Sequence, residues 1–241
     1  MNAPALLEIT ELTKHFGGVV AVDAIDFTLR EGELRCLIGP NGAGKSTFFK
    51  CLTGQLAPSG GNIRLRGHDI AGWPSHAIAR LGVGIKTQVP SVFDGLDVHE
   101  NLWLAARRRD DDRAAALRCD QLLNRLRITD LARHMVGRLA HGQRQLVELG
   151  MVLAGDPDLI LLDEPAAGMS RDEVARTAEL IQDISHDHTL IVVDHDMRFI
   201  RMIADTVTVF HQGRILTEGD VETVMQDPSV RDVYLGKRAA G

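Results

Sequence analysis

The stretch Gly39-Pro40-Asn41-Gly42-Ala43-Gly44-Lys45-Ser46-Thr47 fits the pattern G-x-x-x-x-G-K-[ST]. Glycines there let the backbone curl until successive N–H groups point at phosphate oxygens, and a following helix adds its positive N-terminal end. Lys45 would reach the β- and γ-phosphates of a nucleotide, and the Ser46 hydroxyl would ligate Mg2+. Farther along, Leu159-Ile160-Leu161-Leu162-Asp163-Glu164-Pro165 is an apolar run that ends in two carboxylates. In a doubly wound sheet ligands bind at the carboxyl ends of strands, so both acids would face the phosphates. Asp163 is then the partner of the metal ion, and Glu164 is placed to polarise an attacking water, help worth ~10²–10⁴-fold. Thr189-Leu190-Ile191-Val192-Val193-Asp194-His195 repeats the layout and assigns His195 as a sensor of the γ-phosphate. No Asn-Lys-x-Asp occurs in the chain, so a guanine-reading GTPase lacks its base-recognition element.

These residues need strands to present them. Leu34–Ile38 runs into the glycine-rich loop, and Thr47–Leu52 after it is helix-like. Leu7–Leu12 and Ile25–Leu29 alternate apolar and polar residues and read as half-exposed strands. From about Val98 to about Met151 the texture is helical, with no convincing strand. The run Arg107-Arg108-Arg109-Asp110-Asp111-Asp112-Arg113 reads as a solvated helix end whose charges neutralise one another. Alternation then resumes: strand Leu159–Leu162, helix Asp172–Ile184, strand Thr189–Val193, helix Met197–Ile203, strand Thr206–Phe210. A hairpin-like return follows at Gly213–Thr217. The pattern predicts an α/β fold with a mainly parallel sheet and an inserted helical lobe, without internal repeats or linkers.

The chain has 241 residues, 33 acidic and 27 basic, for a net charge of −6. An acidic excess argues against broad nucleic-acid binding. The longest apolar runs fall far short of the ~18 residues that a membrane span needs. No secretory signal is visible at the start of the sequence. Cys36, Cys51 and Cys119 are far apart and form no Cys-x-x-Cys, so they read as small buried hydrophobes. His186-Asp187-His188 falls in a helix-to-strand connection and reads as structural. The expectation is a soluble intracellular protein.

Taken together, the motifs resemble those of the ATP-binding cassette (ABC) family over nearly the whole chain. Leu139-Ala140-His141-Gly142-Gln143 looks like the family's signature, normally Leu-Ser-Gly-Gly-Gln, and it falls in the family's order with the phosphate loop, Gln88, Asp163-Glu164-Pro165 and His195. Thr13-Lys14-His15-Phe16-Gly17-Gly18 resembles the segment whose aromatic residue stacks on adenine, which gives Phe16 that role; taken alone, Phe16 reads as a core aromatic. Gln88 resembles the glutamine that touches Mg2+ and relays nucleotide state to a membrane partner. Narrower likenesses connect Gln88-Val89-Pro90-Ser91-Val92-Phe93, Val98–Leu102, Glu164–Met169 and the ending Val233-Tyr234-Leu235-Gly236 to cassettes of branched-chain amino acid importers. The stretch around Pro90–Phe93 and the Gly168-Met169 pair lean toward the urea-transporting branch. Four positions depart from the family pattern: Ala140 for serine, His141 for glycine, Thr87 for an aromatic, and Ser170 for aspartate.

The resemblance implies a phosphate-loop NTPase core of ABC ATPase type, with an N-terminal β subdomain and a helical subdomain over roughly residues 90–155, all within one domain at 5–237. It implies ATP and Mg2+ as ligands, with Ser46, Gln88 and Asp163 about the metal. It also implies a head-to-tail dimer in which Leu139–Gln143 act on the partner's nucleotide, with a second cassette as heterodimer partner or a homodimer instead. Separate permease subunits, docked near Gln88–Leu104, and indirectly a substrate-binding protein complete the expected assembly, on the cytoplasmic side of the inner membrane. A soluble cassette acting on ribosomes or DNA and a small-molecule kinase are the alternative classes. The paired cassettes or long coiled-coil insertions of the former are not seen, and the signature has no role in the latter.

Overall fold

The computed structural model describes residues 3–88 and 90–235. Val89 and Gly236, quoted above, and residue 237 of the expected domain lie outside the described residues. In chain order the first half comprises β1 (Ala5–Phe16), β2 (Val19–Arg30), β3 (Leu34–Ile38), α1 (Lys45–Leu52), β4 (Gly60–Leu65), β5 (His68–Asp69), α2 (Ser75–Arg80) and β6 (Val83–Lys86). The helical stretch holds α3 (Val98–Ala106), α4 (Asp112–Arg125) and α5 (His141–Ala154). Then come β7 (Leu159–Asp163), α6 (Arg171–Ser185), β8 (Thr189–Val193), α7 (Met197–Ile203), β9 (Thr206–His211), β10 (Arg214–Asp220), α8 (Val221–Gln226) and α9 (Pro228–Leu235).

Two sheets result. The order β2-β1-β4-β5 is antiparallel, and the order β10-β9-β3-β8-β7-β6 is parallel except for the β9–β10 hairpin. The parallel strands are largely apolar because both faces are covered, with Arg35, Lys86, Thr189 and Thr208 as buried polar exceptions. Alternate residues divide between two cores. Cys36, Ile160, Leu162, Leu190 and Val192 face the helices, whereas Leu37, Leu161, Ile191 and Val193 face α1 and the antiparallel sheet. β1 and β2 are longer than the alternation predicts. Register shifts interrupt their pairing, and Glu11 and Ala24 take left-handed φ values of 50° and 48°. Those bulges break the two-residue period that makes a strand readable. β4, β5, β6 and α2 are additional to the predicted elements.

The charge run between α3 and α4 is paired largely within its own neighbourhood. Arg107 meets Asp112 at 2.7 Å, Arg118 meets Asp110 at 2.5 Å, and Asp111 caps α4 by accepting from the Ala114 N–H. All three cysteines are buried thiols.

Behind the phosphate loop, Phe48 of α1 is fully buried and makes edge-on contacts with Phe27 of β2 (5.5 Å between centroids) and Phe210 of β9 (5.1 Å). This aromatic triplet ties both sheets to the helix that follows the loop. Phe48→Ala should therefore destabilise the chain by ~3–5 kcal/mol, measured as a lowered midpoint in denaturant unfolding with an unchanged slope.

Candidate nucleotide site

The neighbouring strands β3, β8, β7 and β6 deliver one predicted site element each at their carboxyl ends. β3 leads into Gly39–Thr47, β8 into His195, β7 into Asp163 and Glu164, and β6 into Gln88. Parallel register aligns those ends: Leu37 and Asp163 both pair with Val193, and Lys86 pairs with Leu162. The structure thus gathers residues up to 156 positions apart on one edge of one sheet.

The phosphate loop is shaped by close backbone approach. Gly39 has φ +148°, and a Cβ on it would lie 2.3 Å from the Phe210 carbonyl oxygen. Gly44 has φ +104°, and a Cβ there would lie 2.5 Å from the Ala21 carbonyl oxygen. Only glycine fits either position. Ala43 is buried and its carbonyl accepts from the Gly213 N–H at 2.9 Å, while Pro40 accepts from the Ala43 N–H at 3.1 Å. Asn41, Gly42 and Ser46 are exposed, and Thr47 is half-buried. Lys45 is nearly buried, with Nζ donating to the Gly39 and Pro40 carbonyls at 2.6 and 3.1 Å. Burial pulls its pKa below the usual lysine value, opposed by the charges of Glu164, Asp163 and Asp194. The N–H groups opening α1, together with the ammonium, make this a site for anionic phosphate.

Glu164 sits at the centre of the polar contacts. Its Oε2 accepts from Gln88 Nε2 at 2.8 Å, and its Oε1 lies 3.1 Å from His195 Nδ1. Its backbone is left-handed at φ 46°, with its N–H donating to Val193 O at 2.8 Å. That conformation costs a non-glycine residue roughly 1–2 kcal/mol, and the carboxylate meets Gln88 and His195. Asp163 is half-buried, and its pKa is raised by burial and by the Glu164 charge, with Lys86 opposing. Asp194 was not singled out in the sequence, although it too ends an apolar strand. It is 3% exposed and accepts from the N–H groups of His195 and Asp196 at 2.7 and 2.9 Å, which fixes the turn that presents His195.

Phe16 ends β1 with 47% of its surface exposed, so it is not a core residue. Lys14 Nζ lies 5.2 Å from its ring centroid. The hairpin carrying it also brings Ala21 against Gly44, which places an exposed aromatic ring on the element that abuts the phosphate loop.

The five residues Leu139–Gln143 form the entrance to α5. Ala140 is the N-cap residue and offers no side-chain oxygen, but Gln143 Oε1 accepts from the Ala140 N–H at 3.0 Å. Gly142 is buried, and a Cβ on it would meet Glu173 Oε1 at 2.6 Å. His141 is exposed, with Nε2 3.1 Å from Gln145 Nε2. Leu139 and His141 line a shallow cavity of about 420 Å³ together with Gln88, Pro90 and Arg144. Of the predicted residues, Phe16, the loop, Gln88, Asp163, Glu164 and His195 lie along one sheet edge and its hairpin, and the signature borders that edge through Gln88.

A family model described as ABC transporter matches residues 22–167. The high-affinity branched-chain amino acid transport ATP-binding protein BraF of Pseudomonas aeruginosa is 35% identical over 98% of this chain and 100% of its own length. LivG of Salmonella typhimurium, described in the same words, shows the same identity and coverage. Among solved structures, the ADP conformation of an ATP-binding cassette of an ABC transporter superposes with a TM-score of 0.86 and 25% identity, over 98% of this chain and 100% of that one. Sequence, fold and the strand-end geometry agree, and the chain belongs to the ABC transporter family as one of its ATP-hydrolysing cassettes.

Proposed function

We propose that this cassette powers an importer of branched-chain amino acids, urea or short amides, working as a peripheral subunit on the cytoplasmic face of the inner membrane. The observation that carries the hydrolytic part is Glu164, held between Gln88 and His195 at the strand ends that flank Lys45. Support for an amino acid cargo comes from BraF and LivG, and the Pro90–Phe93 and Gly168-Met169 likenesses extend it to urea. Uptake of labelled leucine and of labelled urea, compared in cells with and without the chain, tests the cargo.

Lys45 and the opening of α1 bind the phosphates, and Phe16 stacks on the adenine. Asp163, Ser46 and Gln88 hold Mg2+. The fit is chemical: Asp163 and Asp194 are pushed up by burial and by the nearby Glu164 charge, and a divalent cation relieves that crowding. Among the described residues no group of three or more His, Cys, Asp or Glu could hold a metal by itself. Mg2+ at a nucleotide site would be bound through one or two carboxylates plus phosphate oxygens. Mg2+ supplies charge neutralisation on the β- and γ-phosphates. Glu164 takes the proton of the attacking water, and His195 holds the γ-phosphate end of the site and orients the carboxylate.

The signature of one cassette acts on the nucleotide of a second one, a heterodimer partner or another copy of this chain. No helix among the described residues is long and apolar enough to cross a membrane. Docking on permease subunits uses the groove of about 1380 Å³ bordered by Ser91, Phe93, Leu104 and Arg108, where Phe93 and Leu104 are 55% and 40% exposed. Closure and reopening of the cassette pair then couple hydrolysis to transport.

Glu164→Gln keeps the shape and the Gln88 contact but removes the base. Turnover should fall ~10²-fold or more, with ATP retained in a closed dimer; near-wild-type turnover would refute the role. Lys45→Ala should abolish hydrolysis with an unchanged melting temperature. Phe16→Ala should weaken nucleotide affinity by ~1–3 kcal/mol, by analogy with base–aromatic stacking, and leave stability alone, as titration calorimetry and melting curves can separate. Ala140→Ser restores a hydroxyl at the α5 N-cap, facing the partner's γ-phosphate. It should stabilise the chain by ~0.5–2 kcal/mol and raise hydrolysis in the assembled transporter by at most ~1–3 kcal/mol. Unchanged or lower activity of that variant would count against the signature's role.

A further inference from the structure

The loop after β6 carries Gln88, but few of its anchors lie in the sheet. Gln145 and Glu148, three residues apart on one face of α5, reach it from the signature helix. Gln145 is 1% exposed, and its Nε2 donates to the Gln88 carbonyl at 3.4 Å. Glu148 is 3% exposed, and its Oε1 accepts from the Ser91 N–H at 2.9 Å. From α3, the fully buried Asn101 accepts from the Phe93 N–H at 2.8 Å and donates to the Phe93 and Asp97 carbonyls at 3.1 and 2.9 Å. The loop is therefore a passenger of α3 and α5, and its side chain Gln88 touches Glu164, which belongs to the sheet.

Beneath the loop lies a buried ion pair that the nucleotide site does not need for binding. Lys86, 1% exposed at the end of β6, has Nζ 3.8 Å from Glu148 Oε2 and donates to the Thr87 carbonyl at 3.4 Å. A well-packed apolar pair of similar volume often serves stability as well or better. Stability alone therefore gives no reason for two charges here. Only a carboxylate or its amide at 148 can accept from the Ser91 N–H, and a buried carboxylate needs a cation. Lys86 meets that need. Burial pushes the Glu148 carboxyl up, and the Ser91 N–H and the Lys86 charge oppose that shift.

We propose that Glu148 is a positioning residue for hydrolysis: from the signature helix it holds Ser91, and through it Gln88, against the carboxylate of Glu164. The signature that serves one nucleotide and the glutamine that touches the base of the other are thereby parts of one rigid element. This rests on the reading of Glu164 as the base.

The test compares two double variants of the full chain. Lys86→Met/Glu148→Leu removes the charges and the Ser91 anchor, whereas Lys86→Met/Glu148→Gln removes the charges but keeps an acceptor. The first should lower kcat about tenfold or more, because displacement of a positioned group by about 1 Å can cost 10²-fold, with KM for ATP within about twofold. The second should recover most of that loss. In a Gln88→Ala background, which is itself slow, the first pair of substitutions should add less than about twofold. An equal further loss in that background would overturn the proposal, and so would a loss that Lys86→Met/Glu148→Gln does not recover or one confined to KM. If Lys86→Met/Glu148→Leu fails to fold, Glu148→Gln against Glu148→Ala, each scored for kcat and melting temperature, decides the same point. Activity tracking melting temperature would then reject positioning. Glu164→Gln is the control that separates the two ideas. Full turnover in that variant removes the base itself, whereas its collapse beside unaffected Glu148 variants removes only the present proposal.

Discussion

Everything in this cassette depends on the parallel register of β3, β8, β7 and β6. Those strands pair so that Leu37 and Asp163 both lie opposite Val193, and Lys86 lies opposite Leu162. A slip of one residue in any strand would move its apolar set to the other face of the sheet and carry its terminal polar residue out of line. The two cores prevent such slips because each face demands its own alternate residues. Site geometry is thus a by-product of hydrophobic packing on both faces.

The same packing creates an electrostatic load at the strand ends. Burial raises the pKa values of Asp163 and Asp194 and lowers that of Lys45, so each group taken singly would rather be neutral. Together they lie close enough for the charges of one sign to compensate the other, and backbone N–H groups of His195 and Asp196 share the Asp194 charge. Carboxylates crowded in this way favour a cation, and a lysine on phosphate-loop carbonyls favours an anion. A nucleotide bound with its metal brings both.

Much of this was legible in the sequence, for a physical reason. β3, β8 and α7 have the predicted limits, Leu34–Ile38, Thr189–Val193 and Met197–Ile203; the two strands are buried, largely apolar runs that stop at Gly39 and Asp194, and α7 buries Phe199, Ile200 and Ile203. The strand-end residues Asp163, Glu164 and His195 stand out by the same contrast. β6 was illegible: it is four residues long, and Gly84 is there because Val152 would lie 2.6 Å from any Cβ at that position. The exposure of Phe16 depends on where the β1–β2 hairpin ends, and the partners of Asn101, Gln145 and Glu148 in the loop after β6 lie 8 to 57 residues away. Local pattern carries no trace of such pairings.

Three of the departures from the family pattern prove to be neighbours in space. Ser170, where aspartate is usual, caps α6: its hydroxyl donates to Glu173 Oε2 at 2.7 Å, and that oxygen also accepts from the Ser170 N–H at 2.8 Å. The other carboxylate oxygen of Glu173 occupies the space beside Gly142, immediately after Ala140 and His141. The His141 ring in turn covers Gly168, 3.4 Å from where a Cβ would stand. An aspartate at 170 would set a second carboxylate against Glu173, whereas serine donates to it. Ser170 and Glu173 are thus matched, and Glu173 is matched to Gly142. The loop following Glu164 therefore packs against the entrance of α5 within the same chain, through the His141 ring and the Glu173 carboxylate. His141 and Ser170, with Gly142 and Glu173 between them, thus belong to one contact between the α5 entrance and the loop.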